Sequence, residues 1–234
     1  MRFETAAIHS KGGPCPATGA IVTPIYQTST FVFEDIGKTK GYDYSRTANP
    51  TRKALEDTIA ALEGGKAGSA FATGMAAETT VMHLLKQGDH VISQEDLYGG
   101  TYRLFGNGMR NFGLEFTFLR MDDGDEIEAA IRPNTRMIWI ETISNPLLNV
   151  VDIGMVADIA KKHGLITVAD NTLPSPDLVR PLEYGIDLEV HSTTKYLNGH
   201  CDVVGGAVVT ANDELAKGVR FLSNAMGTCA SPFD

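Results

Sequence analysis

A lysine flanked by hydroxyl residues stands out in the segment Val190–His200. In this segment Lys195 follows Ser192 and Thr194 and precedes a glycine turn. A protonated lysine is a poor nucleophile, but in a suitable pocket its amine can attack a carbonyl carbon and form a Schiff base. The segment follows the short apolar and acidic run Ile186–Val190, which is typical of a strand. It therefore indicates a site for covalent chemistry on a carbonyl compound.

A carboxylate ends another apolar run earlier in the chain, where Asp170 follows Leu165–Ala169. A carboxylate in that position can face the pyridinium nitrogen of pyridoxal phosphate (PLP), while a lysine holds the aldehyde of the same cofactor. Each residue alone has an ordinary interpretation, since most lysines are surface charges and an Asp after a strand is commonly a turn or cap residue. Ser192–Lys195 also fits the S-x-x-K pattern of penicillin-binding enzymes, but the companion S-D-N and K-T-G strings are absent.

A small-residue turn lies further upstream, where the apolar stretch in Gly68–Met75 leads into a helical segment at about 76–86. The first N–H groups of a helix and its dipole both favour an anion. The turn at Thr73 and Gly74 therefore predicts a phosphate site. A simple helix cap is the alternative interpretation of this short motif.

Strand-like runs alternate with helical segments along the chain. The seven runs lie within Gly68–Met75, His90–Ser93, Leu114–Leu119, Met137–Ile140, Leu165–Ala169, Ile186–Val190 and Val203–Val209. This alternation predicts an α/β fold with a mostly parallel seven-stranded sheet and helices on both faces. Ligands of such sheets bind outside the carboxyl ends of the strands. We therefore expect Gly74, Asn145, Asp170 and Lys195, which all follow strand-like runs, to share one edge.

The first 48 residues lack a strong hydrophobic period and contain several prolines. They indicate an extended N-terminal arm, for which a solvated loop is the alternative. Packed on a partner subunit, such an arm could deliver Tyr44 and Arg46 to the site of that subunit. The arm ends where Asn49 and Pro50 predict the start of a helix, because Asn is a good N-cap and Pro suits the first helical turn.

The composition is that of a soluble globular protein, with 234 residues of which 43% are hydrophobic and 21% charged. A net charge of −9 argues against a nucleic-acid partner or an anionic membrane surface. The N-terminus does not resemble a signal peptide, and no apolar run approaches the roughly 20 residues that a bilayer requires. Three widely spaced cysteines predict free thiols in a reducing compartment and no metal-ligand cluster, so cytoplasmic localisation is expected.

Several short motifs together resemble the Cys/Met-metabolism PLP-dependent enzymes, a family that includes cystathionine γ-synthase, cystathionine γ-lyase, cystathionine β-lyase and methionine γ-lyase. The resemblance runs in order through nearly the whole chain. The motifs are Tyr44–Arg46 with Asn49–Thr51, Thr73–Ala76, Tyr98–Gly100, Ser144–Pro146, Asp170–Thr172 and Ser192–Tyr196 with Gly199 and His200.

This resemblance implies a fold-type I PLP-dependent transferase large domain over residues 49–234. It also implies a homotetramer made of two active dimers, and a small sulfur amino acid as substrate. By position, Lys195 is expected to form the Schiff base and to move protons between substrate carbons. Asp170 would pair with the pyridine nitrogen, and Tyr98 would stack on the ring and could take part in acid–base steps. Further cofactor contacts are implied for Gly74, Met75, Ser192 and Thr194 (the phosphate), Asn145 (the 3-hydroxyl) and Tyr44 with Arg46 (the phosphate of the neighbouring subunit).

The chain departs from the family pattern in three places. Thr73 replaces a more usual Ser, and Leu173–Asp177 replaces an aromatic residue and a Pro-Tyr pair. The resemblance stops at Asp234, where the family continues into a smaller domain that carries the arginine for the substrate carboxylate. We therefore expect this chain to lack the small C-terminal domain and that arginine.

Within the family, the strings Lys40–Arg46, Tyr98–Phe105 and Ser144–Leu148 look most like bacterial cystathionine γ-synthases and γ-lyases. They favour chemistry at the γ-carbon of cystathionine or an activated homoserine. Gly100 stands where methionine γ-lyases commonly have Cys, which argues against that activity. A β-lyase (cystathionine β-lyase or cysteine desulfhydrase) and a non-catalytic PLP-binding module are also compatible with the motifs.

Overall fold

One seven-stranded sheet organises the protein in a computed structural model that describes residues 2–9 and 13–234. The strands are β1 (Ala67–Phe71), β2 (His90–Gln94), β3 (Glu115–Leu119), β4 (Thr135–Glu141), β5 (Ile166–Asp170), β6 (Leu188–His191) and β7 (Gly206–Thr210). Their order across the sheet is β1-β7-β6-β5-β4-β2-β3. All neighbours are parallel except that β7 runs antiparallel to β1 and β6. The predicted α/β fold is confirmed, and each predicted run overlaps a strand.

The antiparallel strand β7 does not disturb the predicted edge. Because β1 and β6 both oppose β7, they point in the same direction as each other and as β5 and β4. The connection from β6 to β7 contains turns and no crossover helix among the described residues, which suits an antiparallel pair. The carboxyl ends of β1, β4, β5 and β6 therefore lie at one edge, together with the start of β7.

Helices cover both faces of the sheet, as predicted. They are α1 (Phe3–His9), α2 (Pro50–Leu62), α3 (Gly74–Met82), α4 (Gly99–Arg103), α5 (Gly124–Ala129), α6 (Ile153–His163), α7 (Ser175–Leu178) and α8 (Asp213–Met226). A π-helical turn at Leu104–Gly108 and a 3-10 turn at Met109–Phe112 continue α4, and a second 3-10 turn spans Pro181–Tyr184. One core cluster joins Trp139 to Val81 of α3, and a second joins Ile138 to Val156 of α6.

The helix start predicted at Asn49 and Pro50 is confirmed by the contacts of Asn49. The Asn49 side chain accepts a hydrogen bond from the Thr51 N–H at 2.9 Å, which caps α2. It also donates to the Tyr26 carbonyl at 2.9 Å and so fixes part of the preceding arm to the domain. At the other end of the arm the structure differs from the expected extended conformation.

The difference is the short helix α1 near the N-terminus. Its acidic first turn, with Glu4, and His9 in the last turn suit the helix dipole. The Arg180 guanidinium lies 5.4 Å from the centre of the Phe3 ring, a cation–π contact that holds α1 against the same chain. None of the helices in the described part of the chain is both long and apolar enough to span a membrane.

Candidate cofactor site

The aspartate and the lysine come to the same edge of the sheet. Asp170 ends β5 and pairs with Val190 of the neighbouring strand β6. The chain then leaves β6 in a turn in which the Lys195 N–H donates to the Ser192 carbonyl at 3.2 Å. The Lys195 side chain is exposed, and within the described residues its amine has no ion pair or hydrogen bond. The arrangement that the sequence analysis required, with both groups at one edge on adjacent strands, is present.

A hydroxyl residue links the loops that follow these two strands. The Thr172 N–H donates to Asp170 Oδ1 at 2.9 Å, and Thr172 Oγ1 accepts from the Ser192 N–H at 2.8 Å. Burial raises the pKa of the Asp170 carboxyl, while the Thr172 donors and nearby His191 act in the opposite direction. A carboxylate in such a setting gains most from a cationic partner, as a protonated pyridine nitrogen would be.

The predicted anion site lies beside the lysine turn. Thr73 Oγ1 accepts from the Ala76 N–H at 2.9 Å and caps α3, which begins at Gly74. A Cβ on Gly74 would lie 2.9 Å from Ser192 Cβ, so the start of the helix touches the lysine turn closely enough to require glycine there. Gly74 and Ser192, two of the predicted phosphate residues, are thus in direct contact.

The start of β7 packs against the same turn. A Cβ on Gly206 would lie 2.2 Å from the Thr73 carbonyl oxygen and 2.9 Å from Gly74 Cα. The Ser192 hydroxyl has no hydrogen-bond partner within the described part of the chain. Together with the free N–H groups of the first turn of α3, this hydroxyl forms a donor set suited to a phosphate.

The predicted stacking residue lies next to this donor set. A Cβ on Gly100 would lie 2.3 Å from Tyr98 Cε1 and 2.9 Å from Met75 Sδ. The Tyr98 ring and the Met75 side chain therefore both pack against Gly100 at the start of α4. Tyr98 is 44% exposed, so part of its ring is open to a ligand.

Asn145 is joined to Tyr98 through a buried carboxylate. Glu141 ends β4, accepts from the Tyr98 N–H at 2.6 Å through Oε1, and accepts from the Asn145 N–H at 2.9 Å through Oε2. The Asn145 side chain is exposed. Asp170, Glu141 and the loop carrying Asn145 are neighbours because β4 and β5 pair from Met137 to Glu141.

Three of the predicted cofactor residues have other contacts in this chain. The Thr194 hydroxyl accepts from the Gly205 N–H at 3.0 Å and donates to the Gly205 carbonyl at 3.2 Å. The Arg46 guanidinium lies 5.5 Å from the centre of the Tyr44 ring and donates to the Asn224 carbonyl of α8. Phosphate contacts by Thr194, and by Tyr44 and Arg46 across a subunit boundary, therefore stay predictions.

The sequence analysis did not identify several buried carboxyl groups near the site. The strongest signal for them was an acidic residue inside an otherwise apolar strand or at its end. Glu141 ends β4 as Asp170 ends β5, Glu78 lies in α3, and Glu189 interrupts β6. Glu63, Glu189 and His191 are fully buried and hold potential metal-ligand atoms within 4.8 Å of one another, an arrangement that the sequence analysis did not anticipate.

The chain is similar to known proteins over its whole length. A family model described as Cys/Met metabolism PLP-dependent enzyme matches residues 4–234. A probable cystathionine γ-synthase of Herpetosiphon aurantiacus is 52% identical over 99% of this chain and 73% of its own length. A cystathionine β-lyase of Coxiella burnetii is 49% identical over 99% of this chain and 60% of its own length.

A solved structure shows the same likeness. The cystathionine γ-lyase of Lactobacillus plantarum, complexed with L-serine, superposes with a TM-score of 0.97 at 46% identity. The match covers all of this chain and 61% of that protein, so the chain spans about three fifths of the length of several relatives that it matches. The resemblance stated from the motifs is thereby confirmed.

Proposed function

Since the chain belongs to the Cys/Met-metabolism PLP-dependent enzyme family, we propose that it binds PLP and acts on a small sulfur amino acid at the γ-carbon. The observation that carries this proposal is the shared edge at which Asp170, the turn of Lys195 and the start of α3 meet. The donor set fits PLP, because it offers a carboxylate for a pyridinium nitrogen, an amine for an aldehyde and N–H groups for a phosphate. When bound, PLP supplies an electron sink for a substrate carbanion.

The residues of the chain have separate tasks in this proposal. Lys195 would hold the cofactor covalently and would carry protons between the substrate Cα and Cβ. Asp170 keeps the pyridine nitrogen protonated, and Tyr98 covers one face of the ring. Gly74, Met75 and Ser192 contact the phosphate, joined by Thr194 if its hydroxyl turns from Gly205. Asn145 binds the 3-hydroxyl of the ring.

Three activities are compatible with the comparisons, since a γ-synthase, a β-lyase and a γ-lyase are each 46–52% identical to this chain. We favour cystathionine or an activated homoserine as substrate, because the strings around Tyr44, Tyr98 and Asn145 resemble γ-synthases and γ-lyases. Cleavage at the β-carbon is the second candidate, supported by the Coxiella β-lyase.

Product analysis separates these candidates. With PLP and cystathionine, we expect the protein to release 2-oxobutanoate, because breaking the bond at the γ-carbon leaves a four-carbon keto acid. Pyruvate instead would establish β-cleavage. Lys195→Ala is the matched control and should release neither acid. If the unmodified protein released neither acid, and formed no cystathionine from an activated homoserine and cysteine, the proposed activity would be wrong for this chain.

We also propose a homotetramer, with the arm of one subunit against the next. Large apolar side chains of the arm are strongly exposed in the single chain, among them Ile21, Val22, Val32 and Ile36 with 80–98% exposure. Such a surface is unusual for a monomer and typical of an interface. We expect analytical ultracentrifugation to show a species of about four times the 25.2 kDa chain mass. A monomer at all concentrations would contradict the assembly and the shared role of Tyr44 and Arg46.

A further inference from the structure

The buried side chain of Glu141 links two of the predicted cofactor residues, Tyr98 and Asn145. Glu141 is 4% exposed, and its main chain is fixed as well, because its N–H donates to Gln94 Oε1 at 2.9 Å. Each carboxylate oxygen accepts one main-chain N–H, from Tyr98 and from Asn145. One side chain therefore sets the distance between two loops that leave different strands, β2 and β4.

Within the described part of the chain, two further side-chain hydrogen bonds join these two loops. The Ser144 hydroxyl and the Asn149 amide both donate to Asp96, which joins the outer part of the same loops. Neither contact reaches the main chain of Tyr98 or of Asn145. The placement of these two residues relative to each other therefore depends on Glu141.

We propose that Glu141 is a positioning residue that holds Tyr98 against the cofactor ring and Asn145 beside its 3-hydroxyl. This inference rests on the proposed function, because the two residues contact PLP only if PLP binds at this edge. Glu141 acts through Tyr98 and Asn145 and touches neither substrate nor cofactor.

The electrostatics support a specific role for a carboxylate here. Burial and the charges of Asp170 and Asp96 raise the pKa of Glu141 to about 8, against the opposing effect of the two N–H donors. Glu78 of α3 also faces this group, and burial together with the Asp170 and Glu141 charges raises its pKa. Burying an acid among other acids is costly, but a carboxyl group offers an acceptor oxygen to each of the two N–H groups, which a neutral amide cannot do.

Glu141→Gln tests the inference with almost no change in shape. A Gln side chain has one acceptor oxygen and an NH₂ group that cannot accept from a second N–H. Only one of the two loops can then stay attached. We expect hydrogen exchange at the amide of Tyr98 or of Asn145 to become several-fold to about tenfold faster, the size of effect expected for one lost hydrogen bond. The same change should weaken PLP binding several-fold in an absorbance titration.

Glu95→Gln is the matched control, because Glu95 is exposed and precedes the same loop without a side-chain hydrogen bond among the described residues. This control should leave the hydrogen-exchange rates of the Tyr98 and Asn145 amides and the affinity for PLP unchanged. Unchanged exchange at both amides in Glu141→Gln would overturn the inference, even if PLP binding and turnover stood. If the unmodified protein failed to bind PLP, the proposed function would fail, while the two amides would still report on the link.

If Glu141→Gln does not fold, a second measurement, on the unmodified protein, tests the same inference. In the unmodified protein the ¹⁵N–¹H signals of Tyr98 and Asn145 should shift together with one midpoint near pH 8, because both amides donate to the same titrating carboxylate. Clearly different midpoints for the two amides would overturn the inference without any substitution, because one shared carboxyl group cannot produce them.

Discussion

Lys195→Ala is expected to abolish covalent PLP binding completely. The unmodified protein with PLP should absorb at roughly 420 nm, as cofactor–lysine adducts do. The band should disappear in the variant because alanine has no amine to react with the aldehyde. Turnover should fall by several orders of magnitude, since the same amine is proposed to carry protons on the substrate. The absorbance spectrum and a single-turnover assay measure the two effects.

Lys217→Ala provides the comparison for this experiment. Lys217 lies on the exposed side of α8 and pairs with Glu214 at 2.7 Å, far along the chain from the lysine turn. Its loss should leave the band intact. A band that persisted in Lys195→Ala would mean that another lysine holds the aldehyde. The assignment of Lys195 as the cofactor-binding lysine would then be wrong.

The sheet was predictable because its signals are local. Runs such as Met137–Ile140 and Leu165–Ala169 are short, apolar and bounded by turn residues, so their strand character does not depend on distant contacts. The direction of β7 was not predictable from the residues, since periodicity carries no information on pairing partners. The helix α1 was missed for a related reason: seven residues are too few to show a helical period.

The site was predictable only in part. Asp170 and Gly74 follow strands, and the rule that such residues share an edge needs only chain order and parallel pairing. The link that Glu141 makes between Tyr98 and Asn145 could not be predicted, because Tyr98 is 43 positions from Glu141 and both contacts use main-chain N–H groups, which any residue type except proline provides. The same holds for Gly206, whose proximity to Thr73 depends on the turn between β6 and β7.

A second large effect is expected at the buried cluster of Glu63, Glu189 and His191. The three side chains lie on the side of β6 opposite Val190, and all are fully buried. Glu63 Oε1 lies 2.5 Å from His191 Nε2, and Glu189 Oε1 accepts from the Leu182 N–H at 2.7 Å. Glu189 Oε2 has no hydrogen-bond partner in the described part of the chain. Such a group is stable only while it keeps its proton.

Burial and the charges of Glu63 and Glu183 raise the pKa of Glu189 to about 10, from an ordinary value of 4.5. At a pH between these two pKa values, Glu189 keeps its proton in the folded chain and has lost it in the unfolded chain. The free energy of unfolding should therefore fall as pH rises, by up to about 1.4 kcal/mol per pH unit. Glu189→Gln keeps the neutral shape and removes this dependence. The free energy of unfolding of the variant relative to that of the unmodified chain should therefore rise between pH 6 and pH 9.

Urea unfolding of the PLP-free protein at pH 6, 7, 8 and 9 measures this difference. Glu214→Gln is the control, because Glu214 lies exposed on α8 and should leave the pH dependence of unfolding unchanged. If the free energy of unfolding changed with pH equally in Glu189→Gln and in the unmodified chain, Glu189 would be ionised in the folded state. In that case Glu189 would place a buried negative charge beside Glu63 and His191, one residue before Ser192 of the lysine turn. A neutral Glu189 instead adds no buried charge to β6, the strand that leads to the turn of Lys195.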